Sequence, residues 1–151
     1  MLDSTDIRLL SFLQQNASAT AQELGDALAM SASQASRRRQ RLEAEGIITG
    51  LTARLDPAKL GLTVQAFVQV EMATHSRSAS EAFKTLVRSL PEVVSCWTLT
   101  GEADYLLRVY CTDLSALNRL VHELLLPHEA VQRVQTKIVM DQIKADGPLP
   151  V

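Results

Sequence analysis

Four arginines fall within five positions, at Arg37, Arg38, Arg39 and Arg41, and Ser31, Ser33, Gln34 and Ser36 stand just ahead of them. A guanidinium presents a planar fork of N–H donors that fits phosphate oxygens or the O6/N7 edge of guanine. A glutamine amide fits the N6/N7 edge of adenine in the same bidentate way. Short serine side chains let a helix N-terminus come close to a phosphate. Set on one exposed helix, these groups suit double-stranded DNA, and Ser31, Ser33, Gln34, Ser36, Arg37, Arg38 and Arg41 are the candidate contacts. Arg39 sits awkwardly, four after Ala35 and three before Leu42, where the apolar stripe of the same helix should run. Either its stem packs and its head snorkels outward, or that face is less buried than the spacing implies.

The 151-residue chain carries a formal net charge of −2. Its partner must therefore be gripped by this one basic stripe and not by a generally cationic surface. Other chemistries find little support. His75, His122 and His128 lack metal-ligand spacing. There is no Ser/His/Asp set, P-loop or G-x-G-x-x-G. The expectation is a non-enzyme without metal or cofactor. Cys96 and Cys111 read as reduced thiols of a cytoplasmic protein. No apolar run reaches the ~20 residues of a membrane span, and the start MLDSTDIRLL is not expected to be a signal peptide.

The basic stripe needs a scaffold, and the first third supplies three short helices. Asp3 can cap the first, with Asp6 three residues later in its favourable first turn, and the helix carries Ile7, Leu9, Leu10, Phe12 and Leu13. Thr20 and Glu23 form a capping box for a second helix running to about Leu28. Ser31 and Gln34 open the third, which ends near Gly46. The pattern is a capped helix, a tight turn and a capped basic helix, the order of a helix-turn-helix. Ile47, Ile48, Leu51 and Leu55 then suggest one short strand, with Asp56-Pro57 and Gly61 closing the connector.

Beyond it, strand and helix text alternate. Val64, Ala66, Val68, Val70 and Met72 alternate with Gln65, Phe67, Gln69 and Glu71. Ser78 to Glu81 resembles a capping box for a helix with Phe83, Leu86, Val87 and Leu90. Strands follow over Val93–Thr100 and Tyr105–Cys111, joined by Gly101-Glu102-Ala103-Asp104. Asp113 caps a helix carrying Leu114, Leu117, Val121 and Leu124, and the last strand alternates Val134, Thr136, Ile138 and Met140 with Arg133, Gln135 and Lys137. The order βαββαβ predicts a ferredoxin-like antiparallel sheet with both helices on one face. Phe67 on the other face, and Trp97 near it, make that face a candidate for self-association. The expected division is a helix-turn-helix domain over 1–50, a connector strand and hinge over 51–62, the α+β domain over 63–144 and a flexible tail over 145–151. The 101–104 turn reads either as a plain hairpin with solvated acids or as part of a ligand site.

The text LDSTDIRLLSFLQQNA, then ELGDALAMSASQASRRRQRLEAEGIITG, LDPAKLGL, PEVVSCWTLTGEADYLLRVYCTDL and TKIVM resembles the Lrp/AsnC, or feast/famine, family of transcription regulators. The resemblance spans about Leu2 to Lys144. It implies a winged or simple helix-turn-helix joined to a ligand-sensing βαββαβ domain. It also implies dimers formed through the sheets, often assembled into tetramers or octamers, and a cytoplasmic, nucleoid-associated protein. It places an amino-acid effector at Gly101, Asp104 and Thr136, with Thr100 and Glu102 adjacent. Two departures stand out: Ala103 where family members often carry an aromatic, and Arg39 where they usually carry a small apolar residue. Two other functions remain open at this level. One is an architectural DNA-binding protein without an effector. The other is a siroheme decarboxylase, which resembles the same family but would need an aromatic-lined cavity, and aromatics are only 4% here.

Overall fold

Each of the three N-terminal helices begins at a capping box. In the computed structural model, which describes all residues from Met1 to Val151, α1 (Ser4–Gln15) is capped by Asp3, α2 (Ala21–Leu28) by Thr20 and α3 (Ala32–Ala44) by Ser31. Each cap side chain accepts a backbone N–H three residues on, and the side chain there reaches back to the cap's own N–H. Donors that a helix start leaves orphaned are thereby satisfied. The apolar stripes of the three helices meet in one core around Leu9, Leu13, Leu24, Leu28, Ala35 and Leu42.

The connector differs from the expected strand. Ile47 and Ile48 both donate their N–H to Leu42 O, closing off α3, and no strand forms before Val64. Leu51 and Leu55 are exposed. A strand persists only where a neighbour takes its backbone hydrogen bonds, and this segment has no strand beside it. A single 3-10 turn, Ala58–Leu60, follows Asp56, whose Oδ1 accepts Ala58 N–H at 3.0 Å. Gly61, at φ 78°, reverses the chain into the sheet.

The chain divides into two compact units, Met1–Arg54 with Ile143–Val151, and Leu55–Gln142. In the first, the C-terminal segment is held to α1 by a pair of hydrogen bonds. Gln14 Nε2 donates to Leu149 O at 3.1 Å, and Leu149 N–H donates to Gln14 Oε1 at 2.5 Å.

The second unit is the expected βαββαβ array: β1 (Val64–Met72), α4 (Arg77–Ser89), β2 (Val93–Thr98), β3 (Tyr105–Cys111), α5 (Leu114–Arg119, continuing as a π-helical turn over Leu120–Leu125) and β4 (Val131–Ile138). The sheet order is β2-β3-β1-β4, and every neighbouring pair is antiparallel. Period-2 alternation sorts its faces. Ala66, Val68, Val70 and Met72 of β1 and Leu107, Val109 and Cys111 of β3 are buried together with Phe83 and Val87 of α4 and Leu117, Leu120 and Leu125. Two local details depart from expectation. The cap of α4 is Ser76, which accepts Ala79 N–H, while Glu81 pairs with Lys84 at 2.9 Å. In the last helix the i→i+5 bond from Leu126 N–H to Val121 O marks the π turn. The extra residue rotates Leu124 outward and Leu125 into the core, a shift that simple 3.6-residue spacing does not anticipate.

Candidate nucleic-acid interface and ligand cleft

The turn between α2 and α3 is built to bring the start of α3 close. Ala29 takes the left-handed conformation at φ 56°, and Met30 N–H returns to Gly25 O at 2.9 Å. Gly25 is buried, and a Cβ there would lie 2.7 Å from Met30 O. The glycine is needed for this approach, a role that its place inside a helical pattern conceals.

Along α3 the predicted contacts divide into two groups. Ser33 and Arg37 are exposed, and no hydrogen bond or ion pair engages the Arg37 side chain. Ser31 Oγ caps the helix and lies 3.1 Å from Ser33 Oγ. Gln34 Oε1 accepts Ser31 N–H at 3.1 Å, so its Nε2 is the free end, and bidentate pairing with adenine requires the box to open. Ser36 is half-buried.

Arg38 and Arg41 are held elsewhere. Arg38 Nη1 is 2.7 Å from both Asp3 Oδ2 and Asp6 Oδ1, and Arg41 Nη2 is 2.6 Å from Asp6 Oδ2. Asp6 also accepts the Asp3 N–H at 3.1 Å and is wholly buried. Burial pushes its carboxyl upward, but the Asp3 N–H and the two guanidinium groups outweigh burial and hold it at about 2. Arg39 settles with its head against Glu43 Oε1 at 2.9 Å and Ala19 O at 3.3 Å, its side chain 24% exposed. Its stem packs while its charge is paired, which reconciles the arginine with the apolar stripe.

Asp6 is a residue that sequence reasoning assigned only to the helix start. The α1 spacing Leu9, Leu10, Leu13 places Asp6 on the inward face, and that is the signal for its burial. Because its pKa in the folded state lies below the ordinary carboxylate value, its ion pairs stabilise the fold fully above about pH 4 and are lost as pH falls through about 2. The stability difference between wild type and Asp6→Asn should accordingly narrow as pH is lowered from 5 towards 2. Thermal unfolding followed by circular dichroism would show this, and a constant difference would mean that Asp6 is not ionised in the fold.

The second site is a cleft of about 260 Å³ on the sheet face away from the helices, lined by Gln69, Glu71, Leu99, Thr100, Glu102, Ala103, Arg133 and Gln135. Of the residues that the resemblance assigns to an effector, Thr100 and Glu102 line this cleft. Gly101, at φ 110°, turns the chain between them without lining the cleft. Asp104 is occupied: its Oδ2 accepts Met72 N–H at 2.7 Å, its N–H donates to Val70 O at 2.9 Å, and Oδ1 lies 3.5 Å from His75 Nδ1. It staples the β2–β3 hairpin to β1. Thr136 pairs in register with Val68, whose side chain is buried on the helix side. Thr136 thus points away from the cleft, and its neighbours Gln135 and Arg133 line it instead. Those two residues, with Gln69 and Glu71, were the polar phase of strands already recognised. Carboxylates from Glu71 and Glu102 and a guanidinium from Arg133 meet in one concave space. That combination suits a small ligand bearing both an ammonium and a carboxylate group.

The Lrp/AsnC ligand binding domain matches residues 65–149, and a winged helix-turn-helix DNA-binding domain matches residues 2–49. The chain belongs to the Lrp/AsnC family. It is a DNA-binding transcription regulator with a ligand-binding domain, of the α+β architecture described above. The DNA-binding transcriptional activator DecR of Escherichia coli (strain K12) is 36% identical over 100% of this chain and 99% of its own length. The leucine-responsive regulatory protein of the same strain is 32% identical over 99% of this chain and 92% of its own length. A transcriptional regulator from Neisseria meningitidis, crystallised as a complex with L-Met, superposes with a TM-score of 0.95 at 41% identity, covering 99% of this chain and 97% of that one. In this Lrp/AsnC chain α3 is followed by no strand pair, so no β-wing accompanies the helix-turn-helix. No helix is long and apolar enough to cross a membrane.

Proposed function

We propose that this regulator reads DNA with the exposed start of α3 and tunes that binding to a free amino acid held in the cleft of the sheet. The carrying observation is the cleft itself: Glu71 and Glu102 offer acceptors for an α-ammonium group, and Arg133 offers a fork of donors for the α-carboxylate. A bound L-Met in the Neisseria relative supports an amino-acid effector. Ala103 in place of an aromatic leaves the cleft room for the effector side chain. On this reading Ser31, Ser33, Gln34, Ser36 and Arg37 approach the duplex, with Arg38 and Arg41 behind them.

The chain turns over no substrate and acts in the cytoplasm, on the nucleoid. Its open sheet face, with Phe67, Leu106 and Tyr110 half-buried and Trp97 44% exposed, is the surface through which two copies pair before assembling into tetramers or octamers. The expected domain arrangement is a reader over 1–50, a hinge over 51–62 and an effector and assembly domain over 63–144.

The test is a protection footprint on the DNA upstream of the protein's own gene, at two salt concentrations, with and without a pool of amino acids. Salt-sensitive protection that shifts with the pool is the expected result. Arg37→Ala should weaken binding roughly tenfold and reduce the salt slope by about 1. Protection that ignores every amino acid would favour a purely architectural protein. An unchanged affinity in Arg37→Ala would remove the start of α3 from the interface.

A further inference from the structure

We propose that Asp6, assisted by Asp3, is a positioning residue that sets sequence discrimination: it draws Arg38 and Arg41 off the DNA-facing surface and leaves Arg37 as the freely projecting arginine of α3. The inference rests on α3 being the DNA-reading helix.

Four arginines on one short helix pose a selectivity problem. Guanidinium groups bind phosphate wherever it occurs, and this sequence-independent term dominates the affinity of a protein for any duplex. Specificity is a difference between the right site and all others, so affinity that every duplex shares dilutes it. Here three of the four arginines are committed within the protein. Arg39 is held by Glu43 and Ala19 O. Arg38 and Arg41 converge on the two oxygens of one carboxylate, Asp6, at 2.7 Å and 2.6 Å. Asp3 adds a second acceptor for Arg38 at 2.7 Å.

The clamp is not a loose surface pairing. Asp6 is fully buried on α1, and both of its oxygens are engaged. The arginine side chains retain 32% and 44% exposure, so once released their heads can swing to solvent or to phosphate. One buried carboxylate on α1 thus controls how many cations α3 offers. It also orients α3, because two residues three apart on that helix are tied to the same point.

The test compares the footprinted segment with a random-sequence duplex of equal length, titrated across a salt series. In Asp6→Asn the two arginines lose their charged anchor. Random-duplex affinity at low salt should rise roughly tenfold, and the slope of log affinity against log salt should steepen by about 1–2, near 0.9 for each added phosphate contact. The ratio of specific to random affinity should fall. Asp3→Asn supplies a second readout that does not depend on the buried site. Asn keeps the N-cap, Asp3 is half-exposed, and only Arg38 loses a partner, so a smaller shift in the same direction is expected.

Equal losses on both duplexes with an unchanged salt slope would reduce Asp6 to a structural support and overturn the proposal. If Asp6→Asn does not fold, Asp3→Asn decides, and an unaltered slope and ratio there would overturn it as well. Arg37→Ala in the same series separates this outcome from failure of the underlying reading. If it leaves both affinities unchanged, α3 is not the helix that meets DNA.

Discussion

Replacing Phe83 with alanine should lower the unfolding free energy of the ligand-binding unit by about 3–5 kcal/mol. Phe83 is fully buried at the centre of the face that α4 turns to the sheet. Its ring lies 4.8 Å from that of Tyr105 and 5.8 Å, edge-on, from that of His128, so truncation removes two aromatic contacts as well as apolar burial. The space left is bounded by β1 and β3, which the sheet's hydrogen bonds tie together, and by the last helix packed on them, and it has little freedom to collapse. A unit of this size should melt more than about 10 °C lower. Trp97 is the single tryptophan and lies on β2, so its fluorescence follows this unit. The helix-turn-helix core shares no residue with the core around Phe83, and its helical signal should keep its own transition. A loss under about 1 kcal/mol would show that the neighbours close the cavity.

Gly25→Ala should damage both stability and DNA binding, against the trend of helix propensity. In an exposed helix interior, alanine is favoured over glycine by about 1 kcal/mol. Here the added Cβ would stand 2.7 Å from Met30 O, 3.1 Å from Ala32 N and 3.3 Å from Ser31 C. Those atoms are backbone, and they belong to the turn that sets the start of α3, so they cannot step aside without moving the helix. We expect a net destabilisation of about 1–3 kcal/mol, the range for overpacking. DNA affinity should fall at least about tenfold, since angstrom-scale displacement misaligns contacts worth ~1–3 kcal/mol each. Gly50→Ala is the control, because nothing lies within 4 Å of a Cβ there. Denaturant titration and DNA titration of the two variants settle the point. A Gly25→Ala protein that is more stable and binds normally would show that the turn relaxes freely.

Much of this protein is decided locally and was legible as text. Capping pairs at Asp3/Asp6, Thr20/Glu23 and Ser31/Gln34 act over three residues, and the polar–apolar alternation of β1 and β3 needs only the pleat. Those signals sufficed for the helix-turn-helix, the βαββαβ order and the exposed Arg37. The connector misled because Ile47 to Leu55 has strand composition, while strand formation requires a neighbour that no local signal reports. The cleft of the sheet was half-legible. The hairpin residues Thr100 and Glu102 line it, while Arg133 and Gln135 enter only through the register of β4 on β1, which carries Thr136 to the opposite face.

By itself the sequence determined the three capped helices of the first unit and the buried faces of β1 and β3, because capping and periodicity are short-range. Only the tertiary structure decided which charges are free. Asp6 and Arg38 are 32 positions apart, and nothing between them in the chain signals their encounter. Packing α1 against α3 brings that carboxylate to Arg38 and Arg41, Arg39 is taken by Glu43, and Arg37 is left in solvent. Four similar residues thereby acquire different roles, since a charge is defined by what surrounds it in space.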